Sequence, residues 1–161
     1  MGNYVTLAVA ISTGFIGMIT CIIAYSQMKI ASAKVKLDLY ERRFNIYVTA
    51  LNCYRALYKK QPEEIAKYTY ELMKSCREAQ FLFKEDDVIY EILTKMHRNG
   101  GIIEGYREYI SQNANRSKVN SDIFHKDSVN ALREFEKNLM DLETKIKPYI
   151  QFENVKGWTF F

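Results

Sequence analysis

Few residues in this chain have the type and spacing that bond-making chemistry requires. His97 and His125 stand apart, and neither sits in the spaced cysteine, histidine and acid pattern of a zinc ligand set. Cys21, Cys53 and Cys76 are odd in number and lack Cys-x-x-Cys spacing, and each falls in an apolar stretch. They read as small buried hydrophobes in a reducing compartment, not as a disulfide framework. Gly100-Gly101-x-x-x-Gly105 carries glycines without the preceding strand that a phosphate-binding loop needs. Glu85-Asp86-Asp87 has charge enough for a cation, yet capping and the dipole of a following helix account for it. No catalytic, metal-binding or cofactor-binding residue is expected, and an enzyme is not the expected class.

The chemistry that remains is that of surfaces meeting lipid. No charged side chain precedes Lys29, and residues 5–25 form an apolar run of 21 residues. At ~1.5 Å per residue that run matches a hydrocarbon core of ~30 Å. Tyr4 and Tyr25 bracket it, where amphipathic rings favour the headgroup levels. Within it Ala10, Gly14, Gly17, Cys21 and Ala24 recur at spacings of 4, 3, 4 and 3. Such a face lets two membrane helices approach closely, so self-association is expected there. No ionisable group lies in the run, which argues against a proton relay or gating charge.

Charge then gives an orientation. Lys29, Lys34, Lys36, Arg42 and Arg43 follow the run closely, whereas only the α-amino group precedes it. The positive-inside rule places the N-terminus outside and residues 29–161 in the cytoplasm. Lys29, Lys34 and Lys36 would face anionic headgroups. Nucleic acid is the weaker partner for this stretch, because Asp38 and Glu41 interrupt it and no groove-reading motif is present. A cleaved signal is disfavoured: Met-Gly-Asn-Tyr supplies no base, and Ala24-Tyr-Ser26 is a poor cleavage site. Thr20 before Cys21 spoils a lipoprotein box, and the loose myristoylation pattern at Gly2 is redundant beside a spanning helix.

These features have to be positioned by helices. The chain formally carries +4, unevenly placed: residues 29–60 hold eight bases against Asp38 and Glu41. The expected fold is all-α: a membrane anchor over residues 1–28, continuous with the long first helix of a cytosolic antiparallel bundle over residues 29–161. No proline or glycine interrupts residues 27–60, so one helix should run from about residue 4 to 60. Its apolar positions Ile30, Ala33, Leu37, Tyr40, Phe44, Tyr47, Leu51, Tyr54 and Tyr58 alternate spacings of 3 and 4, a heptad seam expected to be core. A second set, Leu39, Ile46, Val48, Ala50 and Leu57, widens that seam toward a bundle face.

Pro62-Glu63-Glu64 opens a second helix to about residue 84, with Ile65, Tyr68, Leu72, Cys76, Ala79 and Phe83 on one side. A short helix over residues 87–98 should bury Ile89, Ile92, Leu93 and Met96 and stop at Asn99-Gly100-Gly101. A weaker helical segment, residues 102–112, follows, either separate or joined through a kink. The polar stretch 113–122 reads as a loop, and residues 126–147 as the last helix, with Leu132, Phe135, Leu139, Leu142 and Ile146 at helical spacing, ended by Pro148. The aromatic tail beyond it is expected to pack on the bundle or the membrane surface.

The block Lys36-Leu37-Asp38-Leu39-Tyr40-Glu41-Arg42-Arg43-Phe44-Asn45-Ile46-Tyr47 resembles a K-L-D-L-[FY]-x-[KR]-R-F-x-[IV]-Y signature. That signature follows the single-pass helix of small uncharacterised bacterial membrane proteins. Phe81-Leu82-Phe83 and Pro148-Tyr149-Ile150 are similar to further segments of that group. The resemblance implies a bacterial or phage source and a helical cytosolic domain, and it carries over no catalytic residue. Within the block, Asp38 and Arg42 form an i, i+4 pair, and Arg43 is left to meet a carboxylate elsewhere, in the C-terminal tail for instance. The expected function is that of a membrane-anchored interaction or scaffold protein. Its partners would be lipid, further copies of itself or a cytosolic protein. The alternative is a membrane-active effector whose clustered spans permeabilise the bilayer, by analogy with small phage-defence proteins.

Overall fold

The computed structural model describes residues 2–59, 62–84, 88–112 and 118–151, with only the backbone described for residues 118–121. Four helices follow one another: α1 (Gly2–Lys59), α2 (Pro62–Leu82), α3 (Ile89–Gln112) and α4 (Lys118–Ile150). They pack antiparallel, with α3 against both α2 and α4. The chain divides into two compact units, Met1–Leu39 and Tyr40–Phe161.

The first unit is the N-terminal part of α1. It includes a stretch long and apolar enough to cross a membrane, none of it buried against protein. Its hydroxyls are satisfied locally. Thr6, Ser12, Thr13, Thr20 and Ser26 each donate to the carbonyl four residues back, at 2.8–3.1 Å. Such back-bonding lets a polar side chain sit on a helix without needing water.

The second unit has a core drawn from all four helices. Ile46, Ala50, Cys53 and Leu57 of α1 meet Ile65, Leu72 and Cys76 of α2, Leu93, Met96 and Ile103 of α3, and Phe135, Leu142 and Ile146 of α4. Fully burying an aliphatic or phenyl side chain contributes about 1.5–3 kcal/mol. Phe135, fully buried, stacks on Tyr54 with ring centroids 6.2 Å apart and so ties α4 to α1. The expected inward faces of α2, α3 and α4 are the observed ones, Tyr68 and Leu132 being half-buried at their edges.

The α1 seam is where expectation and structure part. Of the expected second set, Ile46, Ala50 and Leu57 are buried and Leu39 and Val48 half-buried, whereas Phe44 is 41% exposed and Tyr58 65%. Tyr47, Leu51 and Tyr54 lie half-buried on the flank. Small and branched side chains allow the closest helix approach, while a tyrosine hydroxyl favours a position that keeps its tip near water. The row of large rings is therefore the border of the core and not its centre.

Two boundaries also differ. Asn99-Gly100-Gly101 does not stop a helix: α3 is continuous through all three glycines, with Met96, Gly100 and Ile103 on its buried side. Gly100 is the point of close approach, since an added Cβ would lie 3.6 Å from the Thr69 side chain and 3.9 Å from Phe135. Likewise, Pro148 lies inside α4, which continues to Ile150, and a third boundary, the start of α4, differs as well. The lost hydrogen bond is offset by burial, because Tyr149 and Ile150 pack on the core and Tyr149 meets Phe83 edge-on at 5.2 Å. α4 begins at Lys118, eight residues before its expected start at Lys126. The acidic cluster 85–87 and the aromatic tail 152–161 lie outside the described residues.

Candidate functional site

The residues singled out for self-association lie along one face of α1 in the first unit. Ala10, Gly14, Gly17, Cys21 and Ala24 are all exposed, and a Cβ at Gly14 or Gly17 would meet nothing within 4 Å. The face is bare. Lys29, Lys34 and Lys36 follow it, also exposed, and the Lys29 ammonium sits 5.2 Å from the centroid of the Tyr25 ring. A cation resting on the ring that borders an apolar run matches the aromatic and basic belts of a membrane boundary.

Arg43 holds the second unit together. Its Nε donates to the Leu82 carbonyl at 2.9 Å, and its guanidinium lies 5.7 Å from the Phe83 ring and 5.0 Å from the Tyr149 ring. These contacts join α1 to the C-terminal ends of α2 and α4. The carbonyl belongs to a helix end and the two rings offer their faces to the cation, while the C-terminal tail, where a carboxylate partner was expected, lies outside the described residues. Arg43 is thus a structural joint.

The cysteines of the second unit are poor nucleophiles. Burial pushes the Cys53 thiol up to about 12, and the Glu104 carboxylate adds to it. The Thr69 hydroxyl opposes that rise, and its effect is larger than that of Glu104. Burial raises Cys76 to about 12 as well. Both thiols remain protonated at neutral pH, the unreactive form. Among the described residues no group of three His, Cys, Asp or Glu side chains could hold a metal.

A groove of about 690 Å³ lies between α3 and α4. Gly101, Ile102, Gly105, Tyr106 and Tyr109 line it from α3, and Phe124, Asp127, Ala131 and Glu134 from α4. Tyr109 and Phe124 pack 5.2 Å apart across it, and the Tyr106 hydroxyl lies 3.0 Å from His125 Nδ1. Gly101 and Gly105 are among the residues that line it. Neither has an atom within 4 Å of where a Cβ would sit, so no close packing demands them. A helix-interior glycine costs about 1 kcal/mol relative to alanine. Here two such glycines leave open space. The signal was present in the sequence as two helical faces, 102-105-106-109 and 124-127-131-134, whose pairing the sequence does not show.

Compared with protein-family models, curated proteins and solved structures, the chain matches none.

Proposed function

We propose that the protein is a membrane-anchored helical interaction module that associates with further copies of itself through its span. One observation carries this reading: the first unit is a long apolar helix with no buried side chain, and its small-residue face is uncovered at Gly14 and Gly17. Such a helix exposed to water would be strongly unfavourable at about 25 cal/mol per Å² of apolar surface, so a bilayer is its natural solvent. In a bilayer the remaining attraction between helices is close packing, which glycines permit and larger residues prevent. The flanking Lys29, Lys34 and Lys36 support an orientation with the N-terminus outside and the bundle in the cytoplasm, against anionic lipid. The likeness of residues 36–47 to the block of small bacterial single-pass proteins fits this reading. Scaffolding is favoured over permeabilisation because the span carries no ionisable residue to line a pore.

A single reporter tests both orientation and association. A transcription activator that works only as a cytoplasmic dimer, fused after Phe161, should switch on its promoter. Gly14→Leu and Gly17→Leu should each weaken that signal several-fold, while Ile16→Leu, off the face, should leave it intact. A silent reporter beside a bright cytoplasmic fluorescent fusion would sink self-association, and a dark fusion would sink the orientation.

A further inference from the structure

We propose that the groove between α3 and α4 binds a small organic cation, an amine carrying an aromatic or branched apolar body. The groove belongs to the second unit alone, so the proposal stands apart from the membrane reading. Its volume, about 690 Å³, falls in the range of small-molecule sites. Its walls are aromatic, with Tyr106 and Tyr109 on α3 and Phe124 on α4. The Tyr106 ring is held by His125 and the Tyr109 ring by Phe124, so the π faces are set before a ligand arrives. Both charged residues that line it, Asp127 and Glu134, are acids. Seven residues apart on α4, they sit about two turns from each other, so one ammonium group meets one carboxylate while the body lies against the rings.

Charge decides the ligand class. An anion would be repelled by both carboxylates, and a neutral molecule would gain nothing from them. An ammonium group on an apolar body satisfies the carboxylates and the ring faces together. The glycines fit the same account. Gly101 and Gly105 are retained within a helix where alanine would be the better former and where nothing crowds them. Larger residues at these positions would fill the groove.

The test uses the full chain in zwitterionic-lipid nanodiscs, with empty nanodiscs subtracted, and 2-phenylethylamine as probe. Neutral 2-phenylethanol and anionic phenylacetate are its matched controls. The readout is the methyl NMR shift of Ile102 and Ala131, titrated to saturation. The amine should shift both methyls saturably and bind at least tenfold more tightly than either control. Asp127→Asn combined with Glu134→Gln should weaken it by tenfold or more, and Gly105→Leu should abolish it. Glu143→Gln, exposed on α4 outside the groove, should change nothing. Circular dichroism establishes that each variant keeps its helices, which open space at Gly105 and exposure of both acids favour. Equal binding of the amine and the alcohol would overturn the proposal, and so would an affinity unchanged by loss of both carboxylates, or unshifted methyls at saturating amine.

Discussion

At the scale of single residues, the buried thiols make the sharpest test of the core. Cys53 and Cys76 hold their protons up to about 12 in the fold, against an ordinary value of 9.0. An unfolded chain releases them near 9, so the stability they contribute is complete below that pH. It is lost as pH rises from about 9 to 12. Each pH unit in that window costs roughly 1.4 kcal/mol per thiol. Thermal unfolding between pH 8 and 11 should therefore show a steeper loss for the wild type than for the Cys53→Ala, Cys76→Ala double variant. All other groups are common to both proteins and cancel in the comparison. Parallel curves would mean that neither thiol is as buried as the structure places it. Arg43 teaches a related lesson: its position off the aromatic row was legible in the sequence. Its partners were not, because a main-chain carbonyl at a helix end leaves no mark in side-chain pattern.

At the scale of elements, sequence periodicity located all four helices and three of their four inward faces. It failed on α1, where two apolar rows run side by side and size favoured the wrong one. Ile46 and Phe44 separate the two rows experimentally. Ile46→Ala removes a fully buried side chain and should destabilise the bundle by about 2–5 kcal/mol. Phe44, 41% exposed and stacked on Tyr40 at 6.3 Å, should cost about 1 kcal/mol or less when changed to alanine. Denaturant unfolding of the full chain in mild detergent, followed by far-ultraviolet dichroism, measures both. A larger loss from Phe44→Ala would restore the aromatic row as the core. The continuity of α3 was hidden for a different reason. Asn-Gly-Gly is a strong local stop signal, and only the tertiary packing of Gly100 between Thr69 and Phe135 outweighs it. The groove went unread because its lining is shared between two helices whose pairing the sequence does not show: most of the α3 wall lies in the expected segment 102–112. The early start of α4 adds Phe124 to the facing wall, and a polar run such as 118–122 gives little helical period to read.

At the scale of the whole molecule, an apolar helix of membrane-crossing length with an uncovered small-residue face is joined in sequence to a bundle with its own core. Cys21 gives direct access to it, being the only cysteine in the span and lying on the face with Gly14 and Gly17. Native membranes treated with copper-phenanthroline oxidise facing thiols: two thiols lose two protons and two electrons to the oxidant and form one disulfide. The account predicts a reducible dimer from the wild-type chain. It should be absent from Cys21→Ser and strongly diminished by Gly17→Leu. Moving the cysteine to the other side of the helix, with Cys21→Ser and Ile19→Cys together, should give little dimer. A dimer formed as readily from residue 19 as from Cys21, or none from Cys21 at all, would contradict association through the small-residue face.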